Sequence, residues 1–454
     1  MEVDVGGKIT VTTKKPNILF LLPDQHRPDW LGCTPDLPLR TPNLDRLCEH
    51  GVRFSNAFTP SPVCAPARAC LASGMEYRRC RVPSNRENYP PDLPTYYQRL
   101  RDTGYEVCGV GKFDLHKDLG TPSAELDWHL DGSRSLEQWG FTKGIDNEGK
   151  FDGSGSYRAA GKPKGPYLNY LHQRGLAQDY LREHADCKKN RNAYITSLPE
   201  EAYCDNWVAE NGLRFLRGFA EGQPWHLVVN FTGPHNPMDV TQRMHDEWQD
   251  VQFPMPVAND QPGYSVEDHQ RNRRHYAAMI ENIDRHVGRY IDAVRERGEL
   301  DHTLIIYSSD HGEMLGDHSR WGKSTWYTPS TGIPMILAGP GITNGVISEA
   351  LVSLHDLTAT ILDYAGAEPL PAMDSRSLRG VLEAKRDEHR QHIISALDDW
   401  RMVTDGQYKL VLRQDKPALL YETKIDPAEM HDVAARNPAV VQRLTAVLNA
   451  KKTT

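Results

Sequence analysis

The stretch PNILFLLPDQHR, residues 16–27, gives the first indication of the fold. Its first seven residues form a short apolar run bounded by prolines, which is typical of a buried β-strand. Similar runs occur at 225–230, 303–308 and 334–338, with helical stretches between them. This alternation predicts an α/β fold in which a large, mainly parallel sheet lies between helices.

Polar residues follow three of these predicted strands directly. They are Asp24-Gln25-His26-Arg27, Thr232-Gly233-Pro234-His235 and Ser309-Asp310-His311-Gly312-Glu313. In sheets of this kind, ligands bind at the carboxyl ends of the strands. We therefore expect a functional site where these three clusters meet.

Helical patterns and a glycine-rich segment complete the first part of the chain. Apolar residues at spacings of three and four predict a core-covering helix over 270–296. Shorter helices are expected from Thr41-Pro42 and over 202–219 and 355–365. Residues 140–165 contain seven glycines, and we predict a long surface loop there, either a solvated insertion or a lid.

The pattern changes near residue 370. Short alternating segments at 392–397, 400–404, 407–413 and 418–421 predict a small antiparallel sheet, and a helix is expected from 437 to about 450. We therefore divide the chain into a catalytic domain, residues 1–369, and a C-terminal subdomain, residues 370–454.

Composition and charge exclude several classes of protein. The 454 residues are 39% hydrophobic and 25% charged, and the net charge is −8, so a soluble globular protein that does not bind nucleic acid is expected. The run at 18–22 is too short for a membrane span, and the opening with Glu2 and Asp4 does not fit a signal peptide. Together with eight cysteines that form no CxxC pair, this predicts a cytoplasmic protein without a membrane partner.

The segment Cys64-Ala-Pro-Ala-Arg68, followed by Leu71 and Gly74, has the form C-x-P-x-R. At these residues the chain resembles the formylglycine-dependent (type I) sulfatases of the alkaline phosphatase superfamily. The resemblance covers about residues 16–345 and includes, in the family's order, PNILFLLPDQ, TPNLDRL, GVRFSNAF, GVGKFDLH, NFTGPHNP, the Y-x-x-x-I-x-x-x-D pattern at 276–284, SSDHGEMLGDH and Lys323. It implies an alkaline-phosphatase-like fold with a small C-terminal subdomain.

The resemblance implies that Cys64 is oxidised after translation to formylglycine (3-oxoalanine), whose hydrated aldehyde is the nucleophile. The formylglycine-generating enzyme is then an expected partner during maturation. Outside this motif, Cys64 would be interpreted as a packed thiol and Arg68 as a surface residue. If a helix begins here, Arg68 lies on the same face as Cys64, where its guanidinium can hold an oxygen of the diol.

Three further residues take family roles at the sulfate. The resemblance implies that Lys112 and Lys323 hold the sulfate, and that His235 binds it and protonates the leaving oxygen. The family pattern Gly-Lys-x-His is not kept, because Asp114 stands at the place of the histidine that acts as the base. In an extended segment Lys112, Asp114 and His116 share a face, so we predict His116 as the base and Asp114 as its orienter, its replacement or a substrate contact.

The metal ligands implied by the resemblance are Asp24, Gln25, Asp310, His311 and Cys64 as formylglycine. Sulfatases commonly have two aspartates in the first pair and aspartate with asparagine in the second. Gln25 and His311 depart from this, in a combination similar to the choline-sulfatase and phosphonate-monoester-hydrolase branch. The negative charges of two carboxylates balance the charge of one divalent cation. We expect this cation to be Ca²⁺, and the imidazole of His311 makes Mn²⁺ the alternative.

These residues predict a sulfatase that converts a sulfate monoester to an alcohol and inorganic sulfate. The expected substrate is a small-molecule or oligosaccharide sulfate ester, either a sulfated carbohydrate or an aryl sulfate. His26, Arg27 and Trp139 are further candidates for substrate contact, with packing roles equally expected. The alternatives are a phosphonate monoester or phosphodiester hydrolase on the same scaffold and a non-catalytic binding protein; a homo-oligomer is compatible with the sequence.

Overall fold

The computed structural model describes residues 15–34, 36–117, 119–258 and 263–450. Within them the strands are β1 (Asn17–Asp24), β2 (Gly51–Phe58), β3 (Glu106–Gly111), β4 (Lys143–Asp146), β5 (Ala193–Ile195), β6 (Trp225–Pro234), β7 (Met238–Val240), β8 (Thr303–Ser308), β9 (Met335–Ala338), β10 (Val346–Ser353), β11 (Ile393–Leu397), β12 (Trp400–Thr404), β13 (Tyr408–Arg413) and β14 (Lys416–Glu422). The α-helices are α1 (Pro42–Glu49), α2 (Cys64–Ser73), α3 (Tyr96–Asp102), α4 (Leu136–Trp139), α5 (Lys150–Ala160), α6 (Pro166–Gln173), α7 (Ala177–Asp186), α8 (Cys204–Arg217), α9 (Gln242–Trp248), α10 (Val266–Glu296), α11 (Thr328–Thr331), α12 (Asp356–Tyr364), α13 (Arg379–Leu382) and α14 (Pro438–Ala450).

The central sheet has eight strands in the order β10-β2-β9-β8-β1-β6-β3-β4. Neighbouring strands are parallel, except that β9 is antiparallel to both β2 and β8. The predicted mainly parallel sheet is therefore confirmed. Its three central strands, β8, β1 and β6, are the ones whose ends lead into the polar clusters.

Strand β1 is apolar from residue 18 to residue 23 because helices cover both faces of the sheet. Phe20 packs in a core cluster with residues of α2 and α12, while the next residue, Leu21, packs in a second cluster with residues of α8 and α10. Successive side chains of a strand point to opposite faces. A strand buried on both faces therefore carries no polar alternation.

The predicted long helix is α10, and it begins four residues earlier than expected. Ser265 and Asp268 form a capping box, in which the serine hydroxyl accepts from the Asp268 N–H and the aspartate carboxylate accepts from the Ser265 N–H. Tyr276, Ile280 and Ile283 are fully buried. The helix thus covers the sheet as predicted.

The prediction of a long loop over 140–165 is wrong. This segment contains β4, at one edge of the central sheet, and the eleven residues of α5. Glycine disfavours a helix, but Gly153 is needed for close packing, because a Cβ atom there would lie 2.3 Å from Cγ of Glu148. Gly155, the other glycine within this helix, has open space around it, so close packing accounts for Gly153 alone.

The predicted C-terminal sheet is confirmed. Strands β11, β12, β13 and β14 form an antiparallel sheet in sequence order, and each begins and ends within two residues of its predicted segment. Helix α14 packs against this sheet through Leu444 and Leu448.

None of the helices in the described part of the chain has the length and apolar character needed to span a membrane.

Candidate active site

Two strand ends bring a pair of carboxylates together. Asp24 is the last residue of β1, and Asp310 lies two residues after β8. The strands are parallel, with Leu21 opposite Tyr307, so both aspartates lie at the same edge of the sheet. The Gln25 N–H donates to Asp310 Oδ1 at 3.0 Å, which joins the two strand ends.

Cys64 is the first residue of α2 and is 1% exposed. Its Sγ lies 2.9 Å from Lys323 Nζ and 3.5 Å from Lys112 Nζ. It also lies 3.3 Å from His311 Nε2 and 3.8 Å from Asp24 Oδ1. The predicted nucleophile is thus surrounded by residues that the sequence placed in the same site.

These neighbours change the acidity of the thiol. Burial and the Asp24 carboxylate raise the pKa of Cys64, but Lys112, Lys323 and His311 outweigh them and lower it from 9.0 to about 6. The N-terminal position in α2 acts in the same direction. A thiol in this environment favours a chemical role over simple packing.

Arg68 lies one turn along α2 from Cys64, as predicted. Its Nε donates to Asp310 Oδ2 at 2.9 Å, its Nη2 to Asp24 Oδ2 at 3.3 Å and its Nη1 to Asn230 Oδ1 at 3.1 Å. The guanidinium therefore neutralises and orients the two carboxylates, a role different from the predicted contact with the nucleophile. Asn230 was not predicted, although it lies in the apolar run that forms β6.

Four of the five predicted metal ligands form one compact group. Candidate ligand atoms of Asp24, Cys64, Asp310 and His311 all lie within 4.8 Å of one another. His311 Nδ1 lies 3.1 Å from the Gly312 carbonyl oxygen, so this nitrogen carries the proton and Nε2 is left for a metal.

The amide of Gln25 fits the same group. Its Oε1 atom is buried and has no hydrogen-bond partner among the described residues, which is uncommon for a buried oxygen. Its Nε2 donates to Glu313 Oε2, so the amide orientation is fixed. Two carboxylates, one imidazole and an unpaired amide oxygen are suitable ligands for a hard or borderline divalent cation.

Glu313 and Tyr276 support this group and were not predicted. Glu313 Oε1 accepts from the Gly322 N–H at 2.6 Å, which connects the Gln25 contact to the segment that carries Lys323. The Tyr276 hydroxyl donates to the Gln25 carbonyl oxygen at 2.6 Å. Helix α10 therefore contributes to the site, whereas the sequence indicated only a role in the core.

The ammonium groups of the two predicted sulfate-binding lysines lie within 3.5 Å of the Cys64 sulfur. Lys112 Nζ forms ion pairs with Asp24 and, at 3.0 Å, with Asp114, and its side chain is 4% exposed. Lys323 Nζ lies 4.0 Å from Asp24 Oδ1, and its side chain is 16% exposed. Lys112 thus lies deep in the site and Lys323 on its more open side.

His235 follows β6 and lies close enough for the site's charges to act on it. Burial first, and then Lys323 and Lys112, lower its pKa well below the usual value, while Asp24 opposes them. Its Nδ1 donates to the Asn236 carbonyl oxygen at 2.5 Å, which leaves Nε2 for a substrate. The three polar clusters predicted to meet therefore lie at one site.

The predicted shared face of Lys112, Asp114 and His116 is wrong. Asp114 has a φ of +53°, and the chain turns at residues 115–116. The Asp114 carboxylate stays beside Lys112 and also accepts from Lys117 Nζ at 2.9 Å, whereas His116 Nδ1 lies 2.9 Å from Ser135 Oγ. Burial raises the pKa of Asp114, but Lys112 and Lys117 hold it well below its usual range.

His26 is placed inside the protein. It is fully buried, its Nδ1 lies 2.7 Å from the Tyr307 hydroxyl, and its Nε2 lies 2.7 Å from the Trp30 carbonyl oxygen. Burial lowers its pKa to about 4. Both ring nitrogens are used by the fold, which favours a structural role over the predicted substrate contact.

Arg27 and Trp139 also have structural surroundings. Arg27 pairs with Asp29 at 2.7 Å and with Asp317 at 2.6 Å, and it donates to the Met314 carbonyl oxygen. Trp139 is 3% exposed and belongs to the same core cluster as Phe20 of β1. These contacts favour the packing roles that the sequence left open.

The fold and the arrangement of the site agree with the sulfatase resemblance of the sequence. The family model described as "Sulfatase" matches residues 16–367. A second model, "N-sulphoglucosamine sulphohydrolase, C-terminal", matches residues 316–453. The chain belongs to the sulfatase family, as the resemblance implied.

Similar proteins are named sulfatases and related hydrolases. The choline-sulfatase of Rhizobium meliloti (strain 1021) is 29% identical over 474 residues, covering 96% of this chain and 86% of that protein. The multifunctional alkaline phosphatase superfamily protein PehA of Trinickia caryophylli is 26% identical, with coverage of 92% and 91%. The chain is accordingly a sulfuric ester hydrolase.

Solved structures show the same fold. The phosphonate monoester hydrolase of Agrobacterium radiobacter superposes with a TM-score of 0.81 at 22% identity, covering 96% of this chain and 95% of that chain. A protein solved in complex with its substrate D-glucosamine-2-N,6-O-disulfate superposes with a TM-score of 0.76 at 19% identity, with coverage of 97% and 98%.

Proposed function

We propose that this chain hydrolyses a sulfate monoester through Cys64 after its conversion to formylglycine. The observation that carries the proposal is the position of Cys64 Sγ, which lies within 3.8 Å of Lys323, Lys112, His311 and Asp24. Formylglycine would supply a hydrated aldehyde, whose hydroxyl can attack sulfur and whose second hydroxyl allows sulfate to leave. The formylglycine-generating enzyme would act on the chain before it is active.

A divalent cation would be held by Asp24, Asp310, His311 and the Gln25 amide oxygen. Bound there, it would lower the pKa of the nucleophile's hydroxyl and neutralise charge on the sulfate. We expect Ca²⁺, with Mn²⁺ as the alternative because of the imidazole ligand. Arg68 holds the carboxylates in place whichever ion is present.

The two lysines and His235 would act on the substrate. Lys112 and Lys323 place ammonium groups 3.5 and 2.9 Å from the Cys64 sulfur, where they can hold a sulfate oxygen and stabilise charge as it develops. His235 Nε2 would hydrogen-bond the bridging oxygen and protonate the leaving alcohol. An anionic sulfate opposes the effect of Lys323 on the histidine and thereby favours its protonated form.

Asp114 is a better candidate than His116 for the base that completes sulfate release. Its carboxylate lies 3.0 Å from Lys112 Nζ, whereas His116 is directed to Ser135. Its low pKa makes Asp114 a weak base, but its carboxylate is held beside Lys112, which contacts the nucleophile. Asp114→Asn is therefore expected to lower kcat more than His116→Ala does.

The proposed substrates are sulfated carbohydrates or aryl sulfates. The names of relatives support this choice, including the N-acetylglucosamine-6-O-sulfatase of Bacteroides thetaiotaomicron at 24% identity and the arylsulfatase of Clostridium perfringens at 25%. A panel of p-nitrophenyl sulfate, choline sulfate and mono-sulfated sugars, assayed by sulfate release, tests the proposal. Absence of sulfate release from every member by protein with a confirmed aldehyde at position 64 would contradict it.

Hydrolysis of phosphonate monoesters or phosphodiesters is a second candidate. Gln25 and His311 favour it, since they depart from the usual sulfatase pairs in the direction of that branch. Comparison of kcat/KM for p-nitrophenyl sulfate and for p-nitrophenyl phenylphosphonate separates the two. A larger value for the phosphonate would assign it as the main activity.

A further inference from the structure

Lys150, the first residue of α5, is buried beside the loop that carries His235. Its side chain is 2% exposed, and a buried ammonium group requires several acceptors. Its Nζ donates to the His235 carbonyl oxygen at 3.3 Å, to the Pro237 carbonyl oxygen at 3.2 Å and to Asp239 Oδ1 at 2.5 Å.

These contacts fix the backbone on both sides of Asn236. The carbonyl oxygen between the two lysine-bound carbonyls belongs to Asn236, and it accepts a hydrogen bond from His235 Nδ1. The direction of that carbonyl therefore sets the orientation of the imidazole. Phe151, the next residue of α5, packs the edge of its ring against His235, with 6.4 Å between ring centroids.

The first turn of α5 is also connected to the part of the site that contains Asp114 and Lys112. Asp152 forms an ion pair with Lys117 at 3.0 Å, and Lys117 donates to Asp114, which contacts Lys112. The turn is therefore anchored at the site from two sides. This makes a rigid support for the His235 loop.

We infer that Lys150 is a positioning residue for catalysis, which fixes the His235 imidazole for protonation of the leaving oxygen. The inference rests on the proposed function, in which His235 is the general acid. The Lys150 ammonium group is buried on its three acceptors, so its effect on the reaction passes through the His235 loop. Without the ammonium group, the His235 and Pro237 carbonyls and the Asp239 carboxylate lose their common donor, and the imidazole loses its fixed direction.

The test compares leaving groups in a double-mutant cycle. Wild type, Lys150→Met, His235→Ala and the double variant are assayed for kcat with p-nitrophenyl sulfate and with phenyl sulfate, whose leaving group needs protonation more. We expect Lys150→Met to lower kcat for phenyl sulfate about tenfold more than for p-nitrophenyl sulfate, as His235→Ala does. In the His235→Ala background, Lys150→Met should change kcat by less than about twofold.

Controls separate positioning from stability. Lys162→Met alters an exposed lysine just beyond α5 and should leave both rates unchanged. If Lys150→Met does not fold, Lys150→Gln takes its place in the cycle; failure of both to fold while His235→Ala folds would overturn the inference. Equal loss with both substrates, or additive effects of the two substitutions, would also overturn it.

The two proposals fail in different ways. If His235→Ala itself shows no dependence on the leaving group, the general-acid role of His235 is wrong. If His235→Ala shows that dependence and Lys150→Met does not, His235 remains the acid and only the role of Lys150 is wrong.

Discussion

The Cys64 side chain is almost completely buried and yet has charged groups on several sides. Lys112 Nζ and Lys323 Nζ lie 3.5 and 2.9 Å from its Sγ atom, and Asp24 Oδ1 lies 3.8 Å from the same atom. A buried site of this kind strengthens every charge interaction within it. It can therefore bind a sulfate anion and activate a nucleophile in the same small volume.

Replacement of the nucleophile tests this arrangement at its centre. Cys64→Ala removes the group that becomes the aldehyde in the proposed mechanism, so sulfate release should fall to background while the fold is kept, because alanine at the start of a helix is well tolerated. Circular dichroism and a sulfate-release assay check both parts. Cys33→Ala, at a partly exposed thiol outside the site, is the control and should retain activity; turnover by Cys64→Ala would contradict the mechanism.

Lys323 is expected to act mainly in the transition state. Its ammonium group lies 2.9 Å from Cys64 Sγ on the open side of the site, so Lys323→Ala should lower kcat by about a hundredfold. Because the side chain is partly exposed, the melting temperature should stay near that of the wild type. Lys188→Ala, at an exposed lysine, is the matched control; an unchanged kcat for Lys323→Ala would remove this residue from the mechanism.

At the scale of elements, parallel strands and two helices assemble the site. Strands β1, β6 and β8 end at one edge of the sheet, α2 brings Cys64 to that edge, and α10 fixes the loop after β1. The long helix does this through the Tyr276 hydroxyl, which donates to the Gln25 carbonyl oxygen and accepts from the Arg27 N–H at 2.9 Å.

This contact gives a prediction for metal affinity. Tyr276→Phe keeps the ring in the core but removes the hydroxyl that orients the Gln25 loop, so the affinity for the proposed divalent cation should fall about tenfold or more. Titration of Ca²⁺ and Mn²⁺ into the chelator-treated protein, followed by activity and calorimetry, measures it. Tyr290→Phe, which alters a buried tyrosine elsewhere on α10, is the control; equal affinities in all three proteins would show that Tyr276 only packs.

The sequence predicted the strands of the site because they are apolar on both faces and end in polar residues. It predicted a shared location for Asp24, His235 and Asp310 because parallel strands place their carboxyl ends together. It could not predict the direction of His116, since a positive φ at Asp114 has no reliable signal in a residue other than glycine. It also missed α5, because a glycine required for close packing, such as Gly153, looks the same in the sequence as a glycine of a loop.

Residues that act through contacts with the backbone could not be predicted from the sequence. Lys150 contacts carbonyl oxygens that any residue would supply, so no pairing of side-chain types indicates it. Glu313 lies in the same motif as Asp310 and His311, and its carboxyl group next to that pair was a usable signal. Asn230 gave a similar signal, since it is a polar residue within an apolar strand.

At the scale of the whole molecule, a buried ion pair connects the catalytic part to the segment that enters the small sheet. Asp356, the first residue of α12, is fully buried and accepts from Arg390 Nε at 2.7 Å and from the Arg376 N–H at 2.8 Å. Burial raises the pKa of Asp356, but Arg390 outweighs it and holds the pKa well below the usual range.

Breaking this pair should destabilise the protein at neutral pH. Asp356→Asn leaves the Arg390 charge unpaired and is expected to reduce the free energy of unfolding by about 3–5 kcal/mol. Since the folded pKa is lowered, the carboxylate's contribution is complete above the unfolded pKa of about 3.9 and is lost as the pH falls towards the folded pKa. The difference from wild type in urea unfolding should therefore be present at pH 7 and shrink below pH ~4.

Asp387→Asn, at an exposed position in the same segment, is the control for this experiment. It should unfold like the wild type at each pH. A difference between wild type and Asp356→Asn that grows as the pH falls would contradict the sign of the effect.

The most direct test of the whole account relates activity to the chemical state of position 64. Preparations made with increasing amounts of formylglycine-generating enzyme are analysed by mass spectrometry of the peptide containing residue 64 and by sulfate release from the best substrate of the panel. The account predicts that turnover is proportional to the fraction of chains with the aldehyde and extrapolates to zero when all chains have the thiol. Equal turnover in preparations with different aldehyde content would contradict it.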